Sequence, residues 1–127
     1  MKKISDALQP ELQEIFDRIW DKFTVLFPEM LMFPKPKIIF SNRMKSTAGI
    51  CYVDKNEIRI CTKLFIDNKQ SFIDDTIPHE AAHQVDFNIN QYDWQNSKVP
   101  WHGRNWQIIM LKYGIEPNRC HDYIVTK

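Results

Sequence analysis

Two histidines four residues apart, with a glutamate directly after the first, most strongly limit how this chain can fold. His79, Glu80 and His83 form the pattern His-Glu-x-x-His. Residues four apart lie on one face of an α-helix, about one turn or ~5.4 Å apart, so both imidazoles can then reach a single cation. The pattern therefore predicts a helix with a metal-binding face.

The other positions of this helix predict which face is buried. At about 100° per residue, Ile73, Ile77, Ala81 and Val85 share an apolar stripe, while the two histidines lie about opposite. We expect the stripe to pack in the core and the histidines to face a cleft. The alternative interpretation is a surface helix with two titrating histidines.

A tetrahedral zinc site needs a third protein ligand, and a catalytic site keeps its fourth position for water. His102 is the best-placed candidate, because it lies at the start of a second helical pattern that Gly114 is predicted to stop. The apolar residues of that pattern are Trp106, Ile109, Met110 and Tyr113. Three carboxylates remain open as alternative ligands: Asp86, Asp93 and Glu116.

Five short sequences follow one another along the chain. They are Ala48-Gly49-Ile50-Cys51, Glu57-Ile58-Arg59-Ile60, Phe72-Ile73 leading into Ile77-Pro78-His79-Glu80-Ala81-Ala82-His83, Trp101-His102-Gly103-Arg104-Asn105-Trp106, and Cys120-His121-Asp122-Tyr123. In order and separation, the chain resembles the SprT-like (Spartan-like) metalloproteases over about residues 40–123. The resemblance implies a zinc metalloendopeptidase in which His79, His83 and His102 hold Zn2+ and Glu80 is the catalytic carboxylate.

The cysteines differ from the pattern of many members of that family, which continue into a cysteine-based zinc ribbon or a basic DNA-binding tail. Cys51, Cys61 and Cys120 are the only cysteines, and no Cys-x-x-Cys pair occurs. We therefore expect no second structural zinc site. The wide separation favours free thiols, although Cys51 and Cys61 lie on predicted neighbouring strands and can meet if oxidised.

The order of predicted elements is typical of an α+β fold. Apolar spacing predicts an N-terminal helix from about Pro10 to Leu26, with Pro10 in its first turn. Residues 37–40 predict a strand, and residues 48–62 predict a hairpin around a polar turn. With the site helix and the helix after it, these elements suggest a minimal zincin-like single domain over residues 1–127, with a small, mostly antiparallel three-stranded sheet.

Pro78 limits where the site helix can begin, because a proline inside a helix costs about 3 kcal/mol. We expect Asp74 or Asp75 to cap the helix, which puts Pro78 in or just after the first turn. Glu80 then lies beside the predicted metal, where it can accept a proton from a metal-activated water and deliver it to the leaving amine. Donors for the oxyanion remain open among Tyr92, Arg104, Tyr113, His121 and Tyr123. Asp86 can orient an imidazole or be solvated.

Charge and the N-terminal sequence set expectations about partners and location. Seventeen basic and sixteen acidic residues give a net charge of +1, so there is no global attraction to nucleic acid or to a membrane. The polar N-terminus does not resemble a secretory signal, and no apolar run is long enough to cross a bilayer. We expect a cytoplasmic monomer that acts on a protein or peptide substrate.

Three functions agree with these features. The first is a zinc endopeptidase, with DNA-associated or DNA-crosslinked proteins as candidate substrates. The second is a catalytically weak, zinc-stabilised module that binds nucleic acid or protein, and the third is a hydrolase of small amides or cell-wall peptides, which the absence of an export signal disfavours. Aromatic residues between His83 and His102, near Lys98 and Arg104, offer contacts to single-stranded DNA, although packing of that segment onto the core is the favoured interpretation.

Overall fold

The computed structural model describes residues 3–91 and 102–117. Its helices and strands are α1 (Ile4–Leu26), β1 (Lys37–Ser41), β2 (Gly49–Tyr52), β3 (Glu57–Cys61), α2 (Thr62–Asp67), α3 (Lys69–Ser71), α4 (Ile77–Ile89) and α5 (Arg104–Tyr113). Short 3-10 turns occupy Pro28–Met32 and Val53–Lys55, and a π-helical turn at Phe72–Thr76 leads into α4. The predicted α+β class is confirmed.

Helix α1 begins six residues earlier than predicted, so Pro10 lies inside it rather than in its first turn. The early turns carry no apolar stripe, and polar contacts to β1 and the residues after it hold them instead. Gln9 donates from Nε2 to the Ile38 carbonyl at 2.8 Å, and Asn42 donates from Nδ2 to the Ser5 hydroxyl at 3.1 Å. These contacts join residues 29 and 37 positions apart, and a local apolar pattern does not reveal such contacts.

The sheet has the order β1-β3-β2, with β3 in the centre. The predicted hairpin is present, because β2 pairs with β3 in antiparallel orientation. Strand β1 pairs with β3 in parallel, so the sheet is mixed rather than mostly antiparallel. A turn sequence encodes only the pairing of the two strands that it joins, whereas the parallel register sets Ile38 beside Ile58 and buries both side chains.

The apolar core lies between α1, the sheet, α4 and α5. Its members with no exposed surface include Leu12, Phe16, Phe23, Ile58, Ile60, Cys61, Phe65, Phe72, Ile77, Ala81, Val85, Trp106 and Met110. Helix α4 contacts α1, β2 and α5, so the segment with the His-Glu-x-x-His pattern runs through the middle of the molecule. Among the described residues, we find no helix with both the length and the apolar character that crossing a membrane requires.

Candidate metal centre

Helix α4 begins without the predicted aspartate cap. Asp74 and Asp75 lie within the π-helical turn, and Thr76, the residue before the helix, already has helical backbone angles. Pro78 occupies the start of α4, as expected, where a missing N–H costs little. A π-turn holds one more residue than an α-turn. The backbone is already helical through this turn, so α4 begins without a separate cap.

The π-turn also shifts the predicted apolar stripe. Ile77, Ala81 and Val85 are buried as expected, but Ile73 is only half-buried, and Phe72 has no exposed surface. The prediction assumed 100° of rotation per residue, which holds in an α-helix but not in the wider π-turn before α4. All of residues 77–86 are buried, which excludes the alternative of a surface helix with two solvated histidines.

The structure brings His79, His83 and His102 together. One candidate ligand atom from each lies within 4.8 Å of the other two, and Nε2 of His79 is 3.0 Å from Nε2 of His102. The ring centroids are 5.0 or 5.1 Å apart in all three pairs. His79 and His83 are buried and His102 is partly exposed.

The donor set fits a tetrahedral cation. Neutral imidazole nitrogens are common ligands of zinc, and Zn–N bonds of about 2.0–2.1 Å separate two nitrogens by about 3.3–3.4 Å. The 3.0 Å between the two Nε2 atoms is a few tenths of an ångström shorter than this. The candidate atom of His83 also lies within 4.8 Å of the other two, so the three donors converge on one point.

His102 lies just before the helix rather than in its first turn, because Gly103 is the N-cap of α5. Gln107 fixes this segment: its backbone N–H donates to the Gly103 carbonyl and its Nε2 to the His102 carbonyl, both at 3.0 Å. Sequence patterns did not single out Gln107 as a residue of the site. The one sign of its role in the sequence is its position, because Gln107 lies about one turn into the helix that follows the predicted ligand His102.

The competing carboxylates have different surroundings. Asp86 is buried on α4 and accepts a hydrogen bond on Oδ1 from Asn90 Nδ2 at 2.8 Å. Glu116 is exposed beyond the far end of α5. Neither belongs to the cluster of metal-ligating atoms, and Asp93 lies outside the described residues.

Glu80 is buried beside the histidines, with its Oε2 atom 3.8 Å from Nε2 of His79. The pKa of this carboxyl is raised to about 8: burial raises it most, a hydrogen bond from the Cys51 backbone N–H lowers it, and the charge of Asp75 raises it. Gly49 lies against the same side chain, since a Cβ atom at this position would be 3.2 Å from Cγ of Glu80. Strand β2 therefore shapes the surroundings of Glu80.

Trp106 is the main feature of the site that the sequence did not reveal. Its apolar spacing predicted only a core residue, and it has no exposed surface. Its ring also contacts all three histidines, with centroid distances of 4.7 Å to His79, 5.3 Å to His83 and 4.8 Å to His102.

Two of the five candidate oxyanion donors, Arg104 and Tyr113, lie within the described residues. Tyr113 lies at the opposite end of α5, stacked on Phe23 at 4.5 Å, and Arg104 is exposed at the start of α5. Tyr92, His121 and Tyr123 lie outside the described residues. The aromatic segment proposed to contact DNA, residues 92–101, also lies outside them.

The two cysteines of the hairpin are free and buried. Cys51 is opposite Ile58 in the β2–β3 pair, so it does not face Cys61 across the strands. Cys61 donates from Sγ to the Met44 carbonyl at 3.2 Å, and Sγ of Cys51 is 3.5 Å from Oε1 of Gln84. Both thiols fill the core, and Cys120 lies outside the described residues.

Comparisons with known proteins identify relatives of the chain by sequence. The sequence model of the SprT-like family matches residues 12–123. Two similar relatives, both called Protein SprT, come from Pseudomonas paraeruginosa (strain DSM 24068 / PA7), at 33% identity, and Pseudomonas entomophila (strain L48), at 34%. Each alignment covers 96 residues, 75% of this chain and 54% or 55% of the relative, so the chain spans about half the length of the curated relatives it matches. No solved structure matches the chain.

Proposed function

This chain belongs to the SprT-like family, and on that premise we propose that it is a zinc-dependent metallopeptidase that hydrolyses peptide bonds. The observation that carries the proposal is a single cluster of three imidazoles, two of them buried, with a buried carboxylate beside it. Buried polar groups are costly unless they are paired or bind a ligand, so this concentration of them favours a functional site.

His79, His83 and His102 would hold the zinc ion. Because all three are neutral, the ion would keep its full double charge and would supply an activated water and polarisation of the peptide carbonyl. The remaining steps belong to the protein. Helix α4 orients two of the imidazoles, and the hydrogen bond from Gln107 to the His102 carbonyl fixes the third from α5.

Glu80 would move the proton. Beside a bound zinc ion Glu80 would be ionised, although burial alone favours its protonated form. Its carboxylate would accept a proton from the attacking water as hydroxyl adds to the carbonyl carbon, and would then deliver that proton to the nitrogen as the carbon–nitrogen bond breaks. The hydrogen bond from the Cys51 N–H holds this carboxylate on the side of β2. General acid–base catalysis of this kind contributes about 10²–10⁴-fold to a rate.

The substrate would lie extended along β2. Among the residues that the structure describes, β2 pairs only with β3, so it forms an edge of the sheet. Cys51 lies at a position whose N–H points away from β3 and reaches Glu80. A peptide added at a sheet edge forms main-chain hydrogen bonds and needs little sequence specificity, which suits an unfolded protein as substrate.

Glu80→Gln tests the mechanism, because the amide has nearly the shape of the carboxylate but cannot serve as the base. We expect this variant to bind zinc like the wild type and to lose at least about 10²-fold in cleavage of an unfolded protein. Glu14→Gln, at an exposed position on α1, is the matched control and should change neither measurement. Cleavage by Glu80→Gln at the wild-type rate would rule out this role for Glu80.

Action on DNA-associated proteins is the more specific part of the proposal. We expect single-stranded DNA to stimulate cleavage by the wild type and not by Glu80→Gln. If zinc binds but no unfolded substrate is cleaved with or without DNA, the chain is instead a zinc-stabilised binding module. In that case Glu80→Gln should leave binding to its partner unchanged.

A further inference from the structure

We propose that Trp106 is a positioning residue that holds the three histidines in their metal-binding arrangement before the metal arrives. The inference rests on the proposed metal site but not on peptidase activity. It assigns Trp106 a role beyond filling the core, which was all that its position in the apolar stripe of α5 indicated.

One indole contacts all three imidazoles at different angles. It stacks on His83 with 17° between the planes and meets His79 and His102 at 60° and 73°. Stacked and edge-to-face contacts are the two favourable arrangements of aromatic rings, and each stabilises a pair beyond simple burial. Rotation of any of the three histidines away from the others would therefore lose a contact with the same indole.

A hydrogen bond fixes the indole itself. The Nε1–H group of Trp106 donates to the backbone carbonyl of His79 at 3.2 Å. This bond joins the first turn of α5 to the first turn of α4. Its two residues are 27 positions apart in the sequence. The distance between the two helices, and hence between His102 and the other ligands, is thus set in part by Trp106.

The physical consequence is preorganisation. If the metal itself had to order the three imidazoles, they would bind it less tightly, because ordering side chains costs conformational entropy. Groups that orient metal ligands typically change metal affinity by about 10–100-fold when they are removed. We expect an effect of that size at Trp106.

Trp106→Phe keeps an aromatic ring but removes the Nε1–H donor and half of the stacking surface. Trp20→Phe is a matched control, since Trp20 is also buried, at 3% exposure, but its ring partners are Phe16 and Phe23 in the α1 core. Zinc affinity, measured by competition with a chelator, should fall about 10–100-fold in Trp106→Phe. It should stay within about twofold of wild type in Trp20→Phe, although both variants lose stability.

Equal zinc affinity in Trp106→Phe and wild type would overturn the proposal, and so would an equal loss in Trp20→Phe. A second measurement uses the metal-free wild type, in case Trp106→Phe does not fold. Ring currents of the indole should shift the imidazole proton resonances of all three histidines in its NMR spectrum, and shifts like those of unstructured histidine would also overturn it. Failure of the wild type to bind zinc would instead count against the proposed function.

Discussion

Helices α1 and α4 both cross the core, but α4 buries many polar side chains beside its apolar ones and α1 almost none. The buried face of α1 is almost entirely apolar, with Leu12, Phe16, Ile19, Trp20 and Phe23. The buried residues of α4 include His79, Glu80, His83, Gln84, Asp86 and Asn88. Apolar burial is favourable against almost any apolar neighbour, whereas each buried polar group needs a particular partner in a particular direction.

The partners of α4 come from several parts of the chain. Gln84 donates from Nε2 to the Val53 carbonyl at 3.2 Å and to Oδ1 of Asn88 at 3.0 Å. The N–H of Cys51 bonds Glu80 from β2. Helix α1 therefore chiefly stabilises the fold, whereas α4 buries chemically reactive groups at some cost in stability.

Among substitutions that distinguish the role of α1 from that of α4, we expect Phe16→Ala to have the largest effect on stability. Phe16 has no exposed surface and stacks near Trp20 at 5.7 Å, so its removal leaves a cavity in the α1 core. We expect a loss of about 3–5 kcal/mol in the free energy of unfolding, measured with denaturant. Zinc affinity of the protein that remains folded should not change, and a parallel loss of affinity would show that α1 also supports the site.

Zinc should stabilise the folded protein by binding the proposed ligands on α4 and just before α5. At a free concentration of about 100 times the dissociation constant, a ligand that binds only the folded state adds about 2.7 kcal/mol to the free energy of unfolding. We expect that gain in the wild type and in Glu116→Gln, whose side chain is exposed. His102→Ala should lose it, and an undiminished gain in His102→Ala would remove this histidine from the ligand set.

Gly49→Ala should reduce turnover with little change in stability or zinc content. The added Cβ would lie 3.2 Å from Cγ of Glu80 and 3.3 Å from Cδ1 of Ile60, so Glu80 must shift by a few tenths of an ångström. We expect kcat to fall about tenfold, because acid–base catalysis depends on the position of the carboxylate.

Gly114→Ala is the control for Gly49→Ala. Gly114 has a φ of 105° and open space around its Cα, so alanine there is strained but contacts nothing at the site. It should cost about 1–2 kcal/mol in stability and leave kcat unchanged. An unchanged kcat in Gly49→Ala, or an equal fall in both variants, would contradict the role of Gly49.

The smallest effect is expected on the outer face of α1. Arg18 and Glu14 form an ion pair at 2.8 Å, four residues apart, and both side chains are mostly exposed. Arg18→Ala should change the free energy of unfolding by no more than about 0.5 kcal/mol, with no effect on zinc binding. A loss above 1 kcal/mol would mean that this face of α1 has a role its exposure does not reveal.

Much of the fold could be predicted because its signals are local. The spacing of apolar residues predicted α1 from Leu12 onward, and the turn after Tyr52 predicted the β2–β3 hairpin. The start of α1 and the parallel pairing of β1 with β3 could not be predicted in this way. Both depend on contacts between distant residues, such as that of Gln9 with Ile38.

At the site, the sequence by itself determined which groups can bind a metal, because residues four apart on a helix must share a face. That His79, His83 and His102 serve as ligands, with Glu80 as the base, stays a prediction. Only the tertiary structure decided that His102 meets the pair on α4, that Trp106 contacts all three rings, and that β2 holds Glu80. The physical reason is that helical geometry is fixed by neighbours along the chain, whereas the meeting of α4, α5 and β2 depends on packing of the whole core.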